Sequence, residues 1–88
     1  MKANHALVKK RLNLAKGQIE GILRMVDDDR YCIDISQQLL AAIALLKQAN
    51  RLVLKAHLDS CVREASGAEV SEKIQEIMAI MEKMNQYK

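Results

Sequence analysis

Apolar positions along the chain recur with the period of a helix, not with the alternation of a half-buried strand. From Val8 through Leu12, Ala15, Ile19 and Ile22 to Val26 they step by four and three, so they share one helix face. The same steps put Val70, Ile74, Ile77, Met81 and Met84 on one face of a later segment. Between these stretches, from about Tyr31 to Glu64, neither Pro nor Gly occurs. At a rise of ~1.5 Å per residue, that segment predicts a helix roughly 50 Å long. Its apolar row reads Cys32, Leu39, Leu46 and Val53 at heptad spacing, with Ile35, Ala42 or Ile43, Ala49, His57 and Cys61 filling in beside it. The acidic run Asp27-Asp28-Asp29 and the segment Ser66-Gly67-Ala68 break the pattern, and Ser71 offers a possible cap for the last helix. The expectation is one all-α domain over residues 1–88, a three-helix protomer. Gly17 and Gly21 interrupt the first helix at about 1 kcal/mol each against Ala, tolerable where a neighbouring helix packs closely.

Such a long middle helix has more apolar face than its two shorter companions can cover. A chain of 88 residues is also small enough for independent stability to be marginal. A second copy is therefore expected to complete the core, as a homo-oligomer. Composition agrees with helices: Phe, Trp and Pro are absent and Tyr occurs twice, so the apolar half of the chain is nearly all Leu, Ile, Val, Ala and Met. No apolar run approaches the roughly 18 residues of a membrane span, and Met1 to Lys10 lacks the apolar centre of a signal peptide. A cytoplasmic protein without membrane partners is expected. In a reducing compartment the two cysteines then read as core residues, a metal site or a redox sensor.

The net charge is only +3, but it is unevenly placed. Up to Val26 the bases are Lys2, Lys9, Lys10, Arg11, Lys16 and Arg24 against the single acid Glu20. On the middle helix Lys47, Arg51 and Lys55 are spaced by four, and no acid occurs from Ile35 to Leu58. A basic stripe is often just a solvated face. Here acids outnumber bases only from Asp59 onward, apart from the run at Asp27–Asp29, which favours a polyanionic partner for the basic stretches, double-stranded DNA. No helix-turn-helix, zinc-finger or basic-zipper pattern is present, so recognition would use a surface of the assembled bundle. Nor is there a nucleophile, base and oxyanion constellation, which argues against an enzyme.

His57 and Cys61 stand four apart, one turn along a single helix face, and can ligate one ion. An unpaired Cys is also a common core residue, so the pair alone leaves packing open. Cys32 narrows the choice. It lies at the other end of the same row, ~37 Å from His57 on a straight helix, against metal–ligand bonds of ~2.0–2.3 Å. One chain cannot bring the three together. If two middle helices pair antiparallel about a two-fold axis near Leu45 and Leu46, Cys32 of one copy falls level with the turn from His57 to Cys61 of the other. Two thiolates and one imidazole form a soft three-ligand set that suits Cu(I) better than Zn(II), which usually takes four ligands. His5 is read as solvated.

Several short stretches then stand out together: Gly17-Gln18-Ile19-Glu20-Gly21, Arg30-Tyr31-Cys32-Ile33-Asp34, Ala49-Asn50-Arg51 and His57-Leu58-Asp59-Ser60-Cys61. With Arg11 they resemble the copper-sensitive operon repressor (CsoR) family over nearly the whole chain. The resemblance implies a dimer with an antiparallel four-helix core, a tetramer of two dimers, and an apo form that represses while Cu(I) releases DNA. It places metal ligands on Cys32, His57 and Cys61, supporting Tyr and Glu residues on Tyr31 and Glu76, and a DNA-contacting Arg on Arg11. The family's second basic DNA contact falls on Gln48, a departure that leaves Lys47 or Arg51 to substitute. Two alternatives remain. A persulfide or electrophile sensor would use Cys32 and Cys61, but that branch typically lacks the His. A copper storage or chaperone module would call for many thiols, and this chain has two.

Overall fold

A computed structural model describes the backbone of residues 1–64 and 67–86, with the side chains of residues 61–64, 68–70 and 86 left out. Within these limits the regular structure is helical throughout: α1 (His5–Asp27), α2 (Cys32–Glu64) and α3 (Ala68–Gln86). The three predicted segments are the three helices.

Local chemistry explains where each helix starts and stops. Asn4 is extended, with φ −65° and ψ 115°, and its side-chain oxygen accepts from the Leu7 N–H at 3.2 Å, satisfying a donor that the first turn leaves open. At the other end of α1, Asp29 adopts the left-handed conformation, φ 52°. The Arg30 N–H then donates back to the Met25 carbonyl and the Asp29 N–H to that of Val26, both at 3.0 Å. This paired closure usually falls to Gly; Asp is among the few other residues that visit φ > 0 readily. The Tyr31 carbonyl accepts from the Ile35 N–H at 3.2 Å and opens α2.

The start of α3 departs from expectation. It begins at Ala68, so Ser71 lies inside the first turn and is not its cap. The reason is Gly67, whose φ of 65° turns the chain immediately before the helix. A Cβ at Gly67 would meet nothing within 4 Å, so replacement there is penalised by backbone strain alone. Gly67→Ala should therefore cost about 1 kcal/mol, read by urea denaturation at fixed protein concentration. An unchanged midpoint would show that the turn does not need the left-handed region.

The chain divides into two compact units. In the unit Asn4–Asn50, α1 packs on the first part of α2, and Val8, Ala15 and Ile22 of α1 are buried along with Ala42 and Ala49 of α2. The Gln18 side-chain amide donates to the side-chain oxygen of Gln38, tying the middle of α1 to the second turn of α2. The stripe predicted for α1 is only half covered: Leu12 and Ile19 remain 45% exposed. On α2 the covered row is Ile35, Ala42 and Ala49, while Cys32, Leu39 and Leu46 stay exposed. Among the described residues no neighbouring helix closes on the α1 glycines. A Cβ at Gly17 would meet nothing within 4 Å, and at Gly21 only the Arg24 guanidinium.

The second unit, Arg51–Lys88 with Met1–Ala3, buries Leu54 of α2, Ile77 of α3 and Ala3. Ile74 and Met84 are half-buried and Met81 is exposed; the Val70 side chain lies outside the described residues. Leu54 and Leu58 face Ile77 and Met81 across a cleft of about 290 Å³, with Arg51 and Lys55 also lining it. The buried set is rich in small residues, whereas Leu39, Leu40, Leu46, Ile33 and Leu23 are all exposed. Fully burying one such Leu is worth about 1.5–3 kcal/mol. Much of the hydrophobic stabilisation that this sequence can supply is thus left to surfaces that one copy does not cover.

Candidate metal centre and nucleic-acid surface

Cys32 is the first residue of α2, and its position follows from the turn before it: the left-handed Asp29 ends α1 and Tyr31 supplies the first carbonyl of the new helix. Its thiol is free and exposed, and it stands on the uncovered row with Leu39 and Leu46. Tyr31 beside it is 67% exposed. His57 is exposed on the part of α2 that belongs to the second unit. Cys61 follows it one turn later, and its side chain lies outside the described residues. Glu76 is exposed on α3. His5 is the first residue of α1, exposed and held in the helix that Asn4 caps.

Among the described residues no three His, Cys, Asp or Glu side chains come together in a way that could hold an ion. The helix explains this for Cys32 and His57. They are joined by unbroken α2, whose rise alone separates them by ~37 Å. The donor types nevertheless suit a soft cation: a free thiol on an accessible apolar face, and an imidazole with a second thiol one turn away.

The basic residues predicted to meet DNA are mostly at the surface. Lys9 and Lys10 are exposed and line a shallow depression with Ala6, Asn13 and Leu14 near the start of α1. Lys16 is exposed on the same helix, and Arg11 is half-buried. On α2, Arg51 and Lys55 are exposed and Lys47 is half-buried. Gln48 is exposed beside them. Apart from the cleft floor, two features escaped the sequence reading. The Gln18–Gln38 link had no visible signal beyond two polar residues flanking apolar rows. The split of α2 into a covered and an uncovered apolar row had the heptad as its only trace, because both rows are apolar.

The fold has solved relatives. Over 91% of this chain and 84% of the other, it matches a crystal structure of the copper-sensing repressor CsoR with Cu(I) from Geobacillus thermodenitrificans, with a TM-score of 0.71 and 31% identity. The copper-sensing transcriptional repressor CsoR of Bacillus subtilis is 34% identical over 77 residues, which is 86% of this chain and 76% of that protein. That of Mycobacterium ulcerans is 44% identical over 55 residues, 62% of this chain. The match spans about half the length of the mycobacterial protein, 47%. A family model described as metal-sensitive transcriptional repressor matches residues 4–83. With all but the ends of the chain inside that match, and a three-helix fold shared with a solved member, the protein belongs to the metal-sensitive transcriptional repressor family.

Proposed function

We propose that this chain is a cytoplasmic Cu(I)-responsive repressor. Its apo oligomer holds double-stranded operator DNA, and Cu(I) bound by Cys32 of one protomer with His57 and Cys61 of its partner weakens that hold. The observation that carries the reading is the place of Cys32: a free thiol on the apolar row of α2 that the protomer leaves uncovered, in a chain similar to a repressor crystallised with Cu(I). An antiparallel partner on that row would shield the thiol from water and bring the turn from His57 to Cys61 level with it. Two such dimers would form the tetramer. Tyr31 and Glu76 would then orient the ligands by hydrogen bonding, the role that outer groups play around a metal-bound His. Among the described residues no helix is long and apolar enough to cross a membrane.

The DNA-facing groups in this reading are Lys9, Lys10, Arg11 and Lys16 of α1 with Lys47, Arg51 and Lys55 of α2. They would contact phosphates, which supply affinity and salt dependence without reading sequence. Arg11→Ala and Arg51→Ala should each weaken operator binding and lower the slope of log affinity against log salt by about one. Fluorescence anisotropy at several salt concentrations measures both quantities. Unchanged slopes in both variants would remove these residues from the interface.

The function is tested by one titration series on DNA-bound protein with Cu(I), Zn(II), Ni(II) and an organic persulfide in parallel. Release by Cu(I) at one equivalent per protomer is the expected result. Release by persulfide but not by Cu(I) would make the protein a thiol-based sensor using Cys32 and Cys61. Uptake of several ions per protomer without release would make it a storage module.

A further inference from the structure

Leu54 and Leu58 stand four apart on α2, and Ile77 and Met81 stand four apart on α3, so each pair stacks one turn along its helix. Together the two pairs line the cleft of about 290 Å³. Leu54 and Ile77 are buried, Leu58 is half-buried and Met81 is 47% exposed, so the walls run from buried aliphatic side chains to an accessible thioether. The remaining lining residues are Arg51 and Lys55, again one turn apart and both exposed. Among the described residues no acid lines the cleft, and the only charges on its walls are positive.

Apolar walls and a charged pair select different parts of one ligand. Small-molecule sites are mostly apolar, with a few polar groups that fix orientation. A hydrocarbon chain gains by leaving water for the aliphatic walls. A guanidinium presents a planar fork of donors that matches a carboxylate, and an ammonium one turn away adds a second charge-assisted bond. An uncharged oil would leave both cations unused, and a cationic amphiphile would be repelled. Size narrows the class further. At about 30 Å³ per water, the cleft has room for about ten water-sized groups, which suits one unbranched chain of roughly eight to ten carbons. The two chains of a membrane lipid would not fit. Met81 suits the accessible side, because its three rotatable bonds let it give way to an entering chain and pack over it.

We propose that this cleft binds a free single-chain carboxylic acid of medium length, as its anion. The hydrocarbon chain lies among Leu54, Leu58, Ile77 and Met81, and the carboxylate sits on Arg51 and Lys55. All six residues belong to the unit of Arg51–Lys88 with Met1–Ala3, so this site is complete within one chain, whereas the proposed metal site needs two. The consequence for DNA rests on the reading that Arg51 and Lys55 contact phosphates: a bound carboxylate occupies both cations and weakens operator binding without copper.

The experiment titrates decanoate, kept below its micelle concentration, into the wild-type oligomer with 13C-labelled Ile and Met methyls. The methyl signals of Ile77 and Met81 should shift and fit a single site per protomer, while those of Ile22 and Met25, in the other unit, stay fixed. Decanol carries the same chain length without the charge and should bind about tenfold more weakly, since bonds to charged groups are the stronger ones. Arg51→Gln combined with Lys55→Gln should weaken decanoate by a similar factor and leave decanol unchanged. Both positions are exposed, so helicity by circular dichroism should match the wild type. No saturable shift at Ile77 and Met81 would show that a neighbouring copy or the protein's own side chains fill the cleft, and would overturn the proposal. Equal binding of decanoate and decanol would also overturn it, by making the cleft a purely apolar gap. Operator affinity unmoved by saturating decanoate would instead remove Arg51 and Lys55 from the DNA-facing set and leave the carboxylate site standing.

Discussion

A heterodimer of two individually defective chains should recover a high-affinity Cu(I) site that neither parent homodimer has. A Cys32→Ala chain keeps His57 and Cys61, and a His57→Ala, Cys61→Ala chain keeps Cys32. Neither homodimer then holds a complete ligand set. In the mixed dimer, the proposed antiparallel pairing of α2 would set the surviving Cys32 opposite the surviving His57 and Cys61, while the other site would lose all three donors. Unbroken helix between Cys32 and His57 is what makes the test decisive, because the ~37 Å of rise rules out recovery within one chain. Heterodimer isolated with two affinity tags should bind one Cu(I) tightly, against two for the wild-type dimer, by competition with a Cu(I) chelator. DNA release should recover in part, since coupling free energies between sites are typically ~1–3 kcal/mol and half of the sites are restored. A heterodimer that binds no better than its parents would show that the three residues do not meet across the interface.

Leu46→Glu should dissociate the oligomer and abolish operator binding with it. Leu46 is 44% exposed in the protomer, on the same uncovered row as Cys32 and Leu39 and close to the proposed two-fold axis. Each substitution removes a Leu worth about 1.5–3 kcal/mol when fully buried, and symmetry counts it twice. The sum, roughly 3–6 kcal/mol, corresponds to a loss on the order of 10²–10⁴ in the dimer association constant before the repulsion of facing carboxylates is added. Analytical ultracentrifugation should find monomer at micromolar concentration. Gln37→Glu adds the same charge on the opposite side of α2, where the side chain is already exposed and polar, and should leave association intact. A Leu46→Glu protein that stays oligomeric and DNA-bound would place the interface on another face.

Helix content and boundaries were legible from local chemistry, because periodicity, capping and turn geometry act over a few residues. The stripe from Val8 to Val26 marked α1, the acidic run marked its end, and the unbroken stretch before Glu64 marked α2. The α3 start was misread at Ser71 because a Ser inside a first turn and a Ser at a cap look alike in sequence. Only the φ of 65° at Gly67 separates them. The candidate ligands were legible for a related reason: His57 and Cys61 are one turn apart by helix geometry, and the distance to Cys32 follows from the rise per residue.

The sequence by itself therefore determined three helices, the types and spacing of the candidate donors, the placement of basic charge, and the impossibility of a Cys32–His57 site within one chain. Which apolar row of α2 turns inward was decided only by tertiary structure. Cys32, Leu39 and Leu46 are as apolar as Ile35, Ala42 and Ala49, and hydrophobic periodicity ranks a face by its composition, not by what covers it. Close packing makes the choice. Ala42 and Ala49 are small enough for a neighbouring helix to approach closely, and they are buried together with Val8, Ala15 and Ile22 of α1, while the bulkier row with the exposed thiol is left facing outward.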